Sequence, residues 1–372
     1  MKKRLKGLFI THNYGLYGAS QSLQLLLKNI PDTDVTLALP YKEILTARKK
    51  KEIANQFGIN GDRIKQFFLP WDNCFEGRRI DFYNILIQRI KNILWRVNKH
   101  WLYKEITKGK YDYVHVNSLA LNRLIVEKYP FFIHIREFLI ENTKDRIGRI
   151  NQSKGIIFID EAVKQPFENY RLKSNIILNN PVDMKNVAHH SNKQSSFDGH
   201  TVISILARIE DEKGIDFIIK SFKKTSSDSL RLIIVGDQGD GFSTGYKRYC
   251  KEISAEDNRI IFWGEEKNID KIYGMSDYII RGEVDLRMGR SVLEALYSDC
   301  DVIIPIRNDH IVKTNEELTK FRSKVHTYLP RDMGSLTKTF LNLSGRKTQK
   351  QNFHSNINGY VKTFNEYISN IL

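Results

Sequence analysis

Cysteine is nearly missing. Cys74, Cys250 and Cys300 are the three in 372 residues, and none stands in the close pairs that metal sites use. So sparse and odd a count fits a reducing compartment. No apolar run approaches the roughly 18 residues of a spanning helix. Behind the basic start MKKRLKG, the run Leu8 to Ile10 stops at Thr11, too short for the core of a signal peptide. These absences point to a cytoplasmic protein that could at most lie on a membrane surface. No long polar or low-complexity tract occurs, so the chain is a folded one, with length for two domains. Acidic residues are in short supply beside their opposites: 43 Asp and Glu against 59 Lys and Arg, a net charge of +16. That balance predicts attraction to polyanions such as nucleic acid, anionic lipid or phosphorylated substrates. Nucleic acid is disfavoured, because no RNA- or DNA-reading motif appears and the cations are dispersed.

What is present is a repeated alternation of short apolar runs, glycine turns and helical periods. Leu8 to Thr11 is strand-like and leads through a turn with Gly15 and Gly18 into a helix whose Leu23, Leu26 and Leu27 share one face. Such a turn either needed glycine for its tightness or faces a ligand at the carboxyl edge of a parallel sheet. Val35 to Leu39 predicts a strand and 42–56 a basic helix. Residues 78–110 follow, with nine Lys or Arg against two acids. Tyr83, Leu86, Ile87, Ile90, Ile93, Leu94, Val97 and Trp101 recur there at helical spacing. A basic amphipathic helix with tryptophan can lie in an anionic membrane interface. The favoured expectation is plainer: the stripe packs on its own domain and the cations form a solvated face. Tyr113 to Asn117 and Phe131 to Ile135 are further strands. His134 falls at a strand end, where ligand groups collect, although a lone strand histidine is more often a core group. Gly155 to Ile159 and Ile176 to Leu178 complete the half, and NNPVD (179–183) is a turn. Residues 184–200 are polar and aperiodic, as a linker is. Their His189, His190 and His200 lack the cysteine or carboxylate company of a metal site.

The second half repeats the pattern. Val202 to Leu206, Leu232 to Val235, Ile260 to Trp263, Tyr278 to Ile280 and Val302 to Pro305 are strand-like, and Ile215 to Phe222 and 269–274 helical. The stretch RGEVDLRMGRSVLEALYSDCDVIIP (281–305) joins a polar turn at Gly289, Arg290 and Ser291 to a helix over Val292 to Tyr297. A helix N-terminus after a glycine turn offers unpaired N–H groups and a positive dipole end to a phosphate. Ser291 and Glu294 also satisfy S-x-x-E, a capping box. The scheme is α/β: two doubly wound domains facing each other across a cleft, closed by an amphipathic helix over 359–372.

The order ARIEDEKG (207–214), IIVGDQG (233–239), IIFWGEEKNIDKIYGMSDYII (260–280) and MGRSVLEALYSDCDVIIP (288–305) resembles the donor-binding half of glycosyltransferase family 4. GLYGAS, HIREF and ILNNPVD extend the resemblance over about residues 8 to 305. It implies a GT-B fold with two Rossmann-like domains: residues 1–185 for the acceptor, a linker at 186–200, residues 201–350 for a nucleotide-sugar donor, and a C-terminal helix at 351–372 returning toward the first domain. It also implies retention of anomeric configuration and no metal or other cofactor. By the same resemblance, Arg208 and Lys213 contact the donor diphosphate, and Glu294 holds the ribose hydroxyls unless it is spent on the capping box. Amides at Gly289, Arg290 and Ser291 meet phosphate or sugar. Gly15 and Gly18 allow close approach to the diphosphate, His134 lies near the transferred sugar, and the base sits near Trp263, Gly264 and Glu265.

One position departs from the family. Counting eight back from Glu294, where a first glutamate is usual, gives Leu286; Asp285 and Glu283 are the carboxylates near enough to substitute. The expected activity is transfer of a hexosyl group from a nucleoside diphosphate sugar to a hydroxyl, the basic helix suggesting a lipid-linked or growing surface glycan at the inner membrane face. Two other classes stay open: a nucleotide-sugar epimerase on the same scaffold, which needs no acceptor, and a degenerate, non-catalytic partner of an active transferase.

Overall fold

The computed structural model describes residues 4–15, 18–31, 33–41, 44–72, 82–137, 139, 144–184, 197, 199–237, 244–284, 286, 288–298, 300–307, 315–343 and 354–372. The chain forms two compact units, Met1–Pro181 with Asn356–Leu372, and Val182–Ser355. The division falls ahead of the expected 186–200 connection, most of which lies outside the described residues.

In the first unit the strands are β1 (Leu5–Ile10), β2 (Thr33–Pro40), β3 (Ile64–Phe67), β4 (Tyr113–Val116), β5 (Phe131–Ile135), β6 (Gly155–Phe158) and β7 (Asn175–Ile177). They form one parallel sheet in the order β3-β2-β1-β4-β5-β6-β7. Both faces are covered, which is why FFIHI and GIIF are continuous apolar runs and not alternating ones. Helices α1 (Gly18–Asn29), α2 (Ala47–Phe57), α3 (Phe82–Gly109), α4 (Lys144–Ile150) and α5 (Glu161–Lys164) belong to this unit. On one face Leu23, Leu26 and Leu27 of α1 pack with Phe9, Leu37 and Phe132.

Helix α3 departs from expectation. Its seated side is Trp95, Leu102 and Ile106, all buried, while Leu86, Ile90, Ile93, Leu94, Val97 and Trp101 of the expected core stripe are exposed. The side chains at 82–84, Tyr83 among them, lie outside the description. Half-buried Gln88 and Asn92 share the seated side, so the face that meets the unit is partly polar.

The second unit holds β8 (Thr201–Leu206), β9 (Leu230–Val235), β10 (Ile260–Gly264), β11 (Tyr278–Ile280), β12 (Asp301–Pro305) and β13 (Val325–Tyr328), all parallel, in the order β10-β9-β8-β11-β12-β13. Counted within the unit this is 3-2-1-4-5-6, the doubly wound dinucleotide-binding order, whose crevice opens at the carboxyl ends of its first and fourth strands. Those strands are β8 and β11. The helices are α6 (Ile215–Lys223), α7 (Thr244–Ser254), α8 (Ile269–Met275), α9 (Arg290–Tyr297), α10 (Glu316–Lys320) and α11 (Met333–Leu341).

The last helix, α12 (Ile357–Ile371), lies in the first unit, where Ile357, Tyr360, Phe364 and Ile368 join the same core as Phe9 and Leu23. Burying Phe364 stabilises that docking by roughly 1.5–3 kcal/mol. The Tyr367 hydroxyl accepts from the N–H of Ile156 at 2.9 Å and donates to the carbonyl of Ser174 at 2.7 Å.

Candidate active site

Two glycines build the carboxyl edge of the second sheet. Gly214 sits at φ +60°, and a Cβ there would lie 2.0 Å from the carbonyl oxygen of Gly282; one at Gly282 would lie 2.7 Å from the carbonyls of Lys213 and Gly214. Only two glycines let these loops touch backbone to backbone. The contact joins the segment after β8 to the segment after β11, at the point where the strand order reverses.

That approach creates an ion cluster from residues far apart in sequence. Lys213 Nζ lies 3.3 Å from Glu283 Oε1. The Arg281 guanidinium holds the same carboxylate with two N–H groups, Nε to Oε2 at 3.0 Å and Nη2 to Oε1, a bidentate match. Its remaining arm, Nη1, donates to Ser291 Oγ at 2.7 Å. Glu283 is 4% exposed. Burial pushes its carboxyl up, but the charge and hydrogen bonds of Arg281, with Lys213, outweigh that and hold it down at about 2. Glu283 is therefore ionised at every pH near neutral.

Arg208 stands at the outer side, its side chain 51% exposed, with Nη1 3.1 Å from Glu210 Oε1. Burial raises the Glu210 carboxyl, with Arg208 and Lys213 opposing the rise. Helix α9 begins at Arg290 with Gly289 as its N-cap, and no side chain caps it. The capping-box expectation thus gives way: Ser291 lies inside the first turn and accepts from Arg281. Glu294 is held instead by Tyr273, whose hydroxyl donates to Oε2 at 2.8 Å, and by Nη2 of Arg290 on Oε1. Trp263 and Gly264 end β10. Gly264 has φ +86° with open space where a Cβ would be, and its carbonyl accepts from Gly236 at 2.8 Å. The Trp263 ring carries Lys271 Nζ at 4.9 Å from its centroid.

Leu286 is packed in the apolar cluster of Met288, Val292 and Leu293. Glu283, the nearby carboxylate that could have taken the missing glutamate's place, has both oxygens on Arg281 and Lys213. Asp285 lies outside the described residues. Among the described residues no group of three or more His, Cys, Asp or Glu is placed to hold a metal ion.

In the first unit, the carboxyl ends of β1 and β4 form the corresponding reversal point. Gly15 donates its N–H to Asn13 Oδ1 at 2.7 Å, and Gly18 opens α1. Asn117 donates to the carbonyl of Ala19 at 3.1 Å. His134 is fully buried. Its Nδ1 lies 3.3 Å from His115 Nε2 and 3.2 Å from Arg136 Nη2. Burial first, then the charge of Arg136, keeps His134 well below its ordinary 6.5 and His115 down at about 3. Both rings are neutral at pH 7. Arg136, half-buried at this strand end, donates to Asn117 Oδ1 at 2.9 Å and Asn180 Oδ1 at 2.6 Å. Arg136 and Asn180 were not among the expected site residues. Their signal was present, each standing at the end of an apolar run, in HIREF and NNPVD. Arg281 and Tyr273 were also missed.

These observations define a class: two parallel-sheet α/β domains of the GT-B type, the second with a cationic cluster at its reversal point. Residues 186–305 match the family Glycosyl transferases group 1, so the second unit carries a glycosyltransferase domain and glycosyltransferase is the enzyme class supported. No curated protein matches the chain. Among solved structures, Alr3699/HepE of Anabaena, in complex with UDP and glucose, superposes with TM-score 0.70 at 15% identity over 98% of this chain and 99% of its own. A glycosyltransferase from Rickettsia africae gives 0.66 at 14% over 99% and 98%. The lipopolysaccharide outer core galactosyltransferase WaaB, without ligand, gives 0.61 at 15% over 99% and 100%.

Proposed function

We propose that the chain is a retaining hexosyltransferase that moves a sugar from a nucleoside diphosphate donor to a hydroxyl of a lipid-linked or growing surface glycan, without a resident metal. The observation that carries this reading is the Lys213–Glu283–Arg281–Ser291 cluster at the reversal point of the matched domain, with exposed Arg208 beside it. As the bond from the anomeric carbon to the diphosphate breaks, negative charge grows on the leaving group. Arg208 and Lys213 are the cations for that charge, and the uncapped amides at the start of α9 add a positive dipole end. The acceptor oxygen then bonds on the face that the diphosphate leaves, and its hydroxyl proton passes to an oxygen of the departing diphosphate. Glu294, aimed by Tyr273, takes the ribose hydroxyls, and the base lies against Trp263 and Gly264. Asp285 is the remaining carboxylate for the sugar end, and His134 acts through Arg136. UDP and UDP-glucose in the Anabaena structures favour a uridine donor.

A panel of nucleotide sugars, followed by donor turnover with EDTA present, tests the reading. Lys213→Ala should lower turnover about 10²–10³-fold with the melting transition kept. Normal turnover in the folded variant, or loss of parent activity in EDTA, refutes it. One observation favours a second reading, a non-catalytic partner: Leu286 is locked in the core where a first carboxylate is usual. Tight donor binding with no turnover on any acceptor would select it.

A further inference from the structure

Helix α3 turns an apolar row away from its own unit. Its seat is specific: the Asn92 side chain accepts from the N–H of Trp71 at 3.1 Å and donates to its carbonyl at 3.0 Å. Trp95, Leu102 and Ile106 are buried, and Glu105 takes Lys65 and the Tyr111 hydroxyl. At about 100° per residue, Leu86, Ile90, Ile93, Val97 and Trp101 fall roughly opposite that seat. Ile93 is 58% exposed, Val97 67% and Trp101 55%. Single exposed apolar residues are ordinary; a row along a 28-residue helix is not.

The rim decides what covers the row. Arg89, Arg96 and His100 flank it, and Lys104 and Lys108 continue its line beyond Trp101, all exposed. Lys104 Nζ stands 5.5 Å from the Trp101 ring centroid. Beside them a shallow depression of about 570 Å³ is lined by Lys99, His100, Lys104 and Lys108 with the Tyr103 and Tyr129 rings. The one acid of the helix, Glu105, is turned to Lys65. An apolar row that ends in tryptophan and then lysines matches acyl chains below anionic headgroups. A second copy would set these cations against themselves. Nucleic acid would leave the isoleucines and valine without a partner.

We propose that α3 lies flat in the interface of an anionic bilayer, with Leu86, Ile90, Ile93, Val97 and Trp101 at the acyl boundary and Lys104 and Lys108 at the headgroup phosphates. No helix among the described residues is long and apolar enough to cross a membrane, so the contact is with the surface. This inference does not depend on glycosyl transfer.

The test is flotation of the full chain with vesicles of phosphatidylglycerol and phosphatidylcholine, against phosphatidylcholine alone. Expected are a preference of about tenfold or more for the anionic vesicles, weakened by raising salt to about 0.5 M. Ile93→Asp with Val97→Asp, and separately Lys104→Glu with Lys108→Glu, should each lower partitioning about tenfold, with unchanged melting because these side chains are exposed. Equal binding to both vesicle types, no binding, or parent-like binding by the Asp variant overturns it. So does an Asp variant that converts a dimer into a monomer without binding vesicles. The assay contains neither donor nor acceptor, so its failure and the failure of the transfer reading are separate results.

Discussion

Replacing Glu283 by glutamine keeps the side chain's shape and removes its charge. Arg281, 12% exposed, would then face an amide, with its charge uncompensated in a buried site. Breaking one side of a buried ion pair costs about 3–5 kcal/mol. The depressed carboxyl points to the same size: held at about 2 against an ordinary 4.5, it corresponds to about 3 kcal/mol of folded-state preference for the charged form. The two agree in size, so Glu283→Gln should destabilise the second unit by about 3 kcal/mol at pH 7. The pH dependence has a definite sign. The folded carboxyl is depressed, so its contribution is complete above the unfolded value near 4.5 and fades as pH falls toward 2. The parent's advantage over the variant should therefore shrink between those values. The unfolding of two units need not be a single transition. Hydrogen-exchange mass spectrometry of peptides from 201–235 and 278–298, taken through a urea series, isolates the relevant one. A loss under about 1 kcal/mol at pH 7, or an advantage constant down to pH 2, would refute the ion-cluster account.

Tyr273→Phe should weaken nucleotide binding about five- to tenfold by releasing one oxygen of Glu294, a loss of about 1 kcal/mol, with little change in turnover at saturating donor; calorimetry and a KM-against-kcat comparison check it. Gly214→Ala should be more damaging than any loss of a single contact, because its Cβ meets the Gly282 carbonyl at 2.0 Å at a φ that alanine resists. A melting temperature close to the parent's would count against the close approach of the two loops.

Most strands were legible because they are short apolar runs followed by a polar residue, as in YVHV before Asn117 and FFIHI before Arg136. Strands β3 (IKQF) and β13 (VHTY) escaped because they are edge strands of four residues, half-buried in part, and present no run. Arg208 and Lys213 could be found from their loop. The partner of Lys213 could not, because the acids at 210–212 lie next to it in sequence and Glu283 lies 70 residues away. The approach of Gly214 to Gly282, invisible to local pattern, is what selects the distant carboxylate. In α3 the period was right and the face was wrong. Spacing establishes that apolar residues share a side, not that the side points inward; there a half-polar seat anchored by Asn92 took the inner position.

The charge arrangement of the second unit assigns its cations different freedom. Arg281 is fixed, since moving it would leave Glu283 and Ser291 without their donor in a buried site. Lys213 shares Glu283 with Arg281, so the carboxylate stays compensated if the lysine swings to a new anion. Arg208 is half in solvent, but its partner Glu210 is 3% exposed, so drawing the arginine to a new anion leaves a buried carboxylate that burial already pushes up. On the proposed reading, the donor diphosphate is met by Lys213, which can turn because Arg281 still compensates Glu283, and by Arg208 from its half-exposed position beside Glu210. Glu283 then serves as an internal counter-ion that holds Arg281 and Lys213 together, while Leu286 packs with Met288, Val292 and Leu293 and adds no charge to the site.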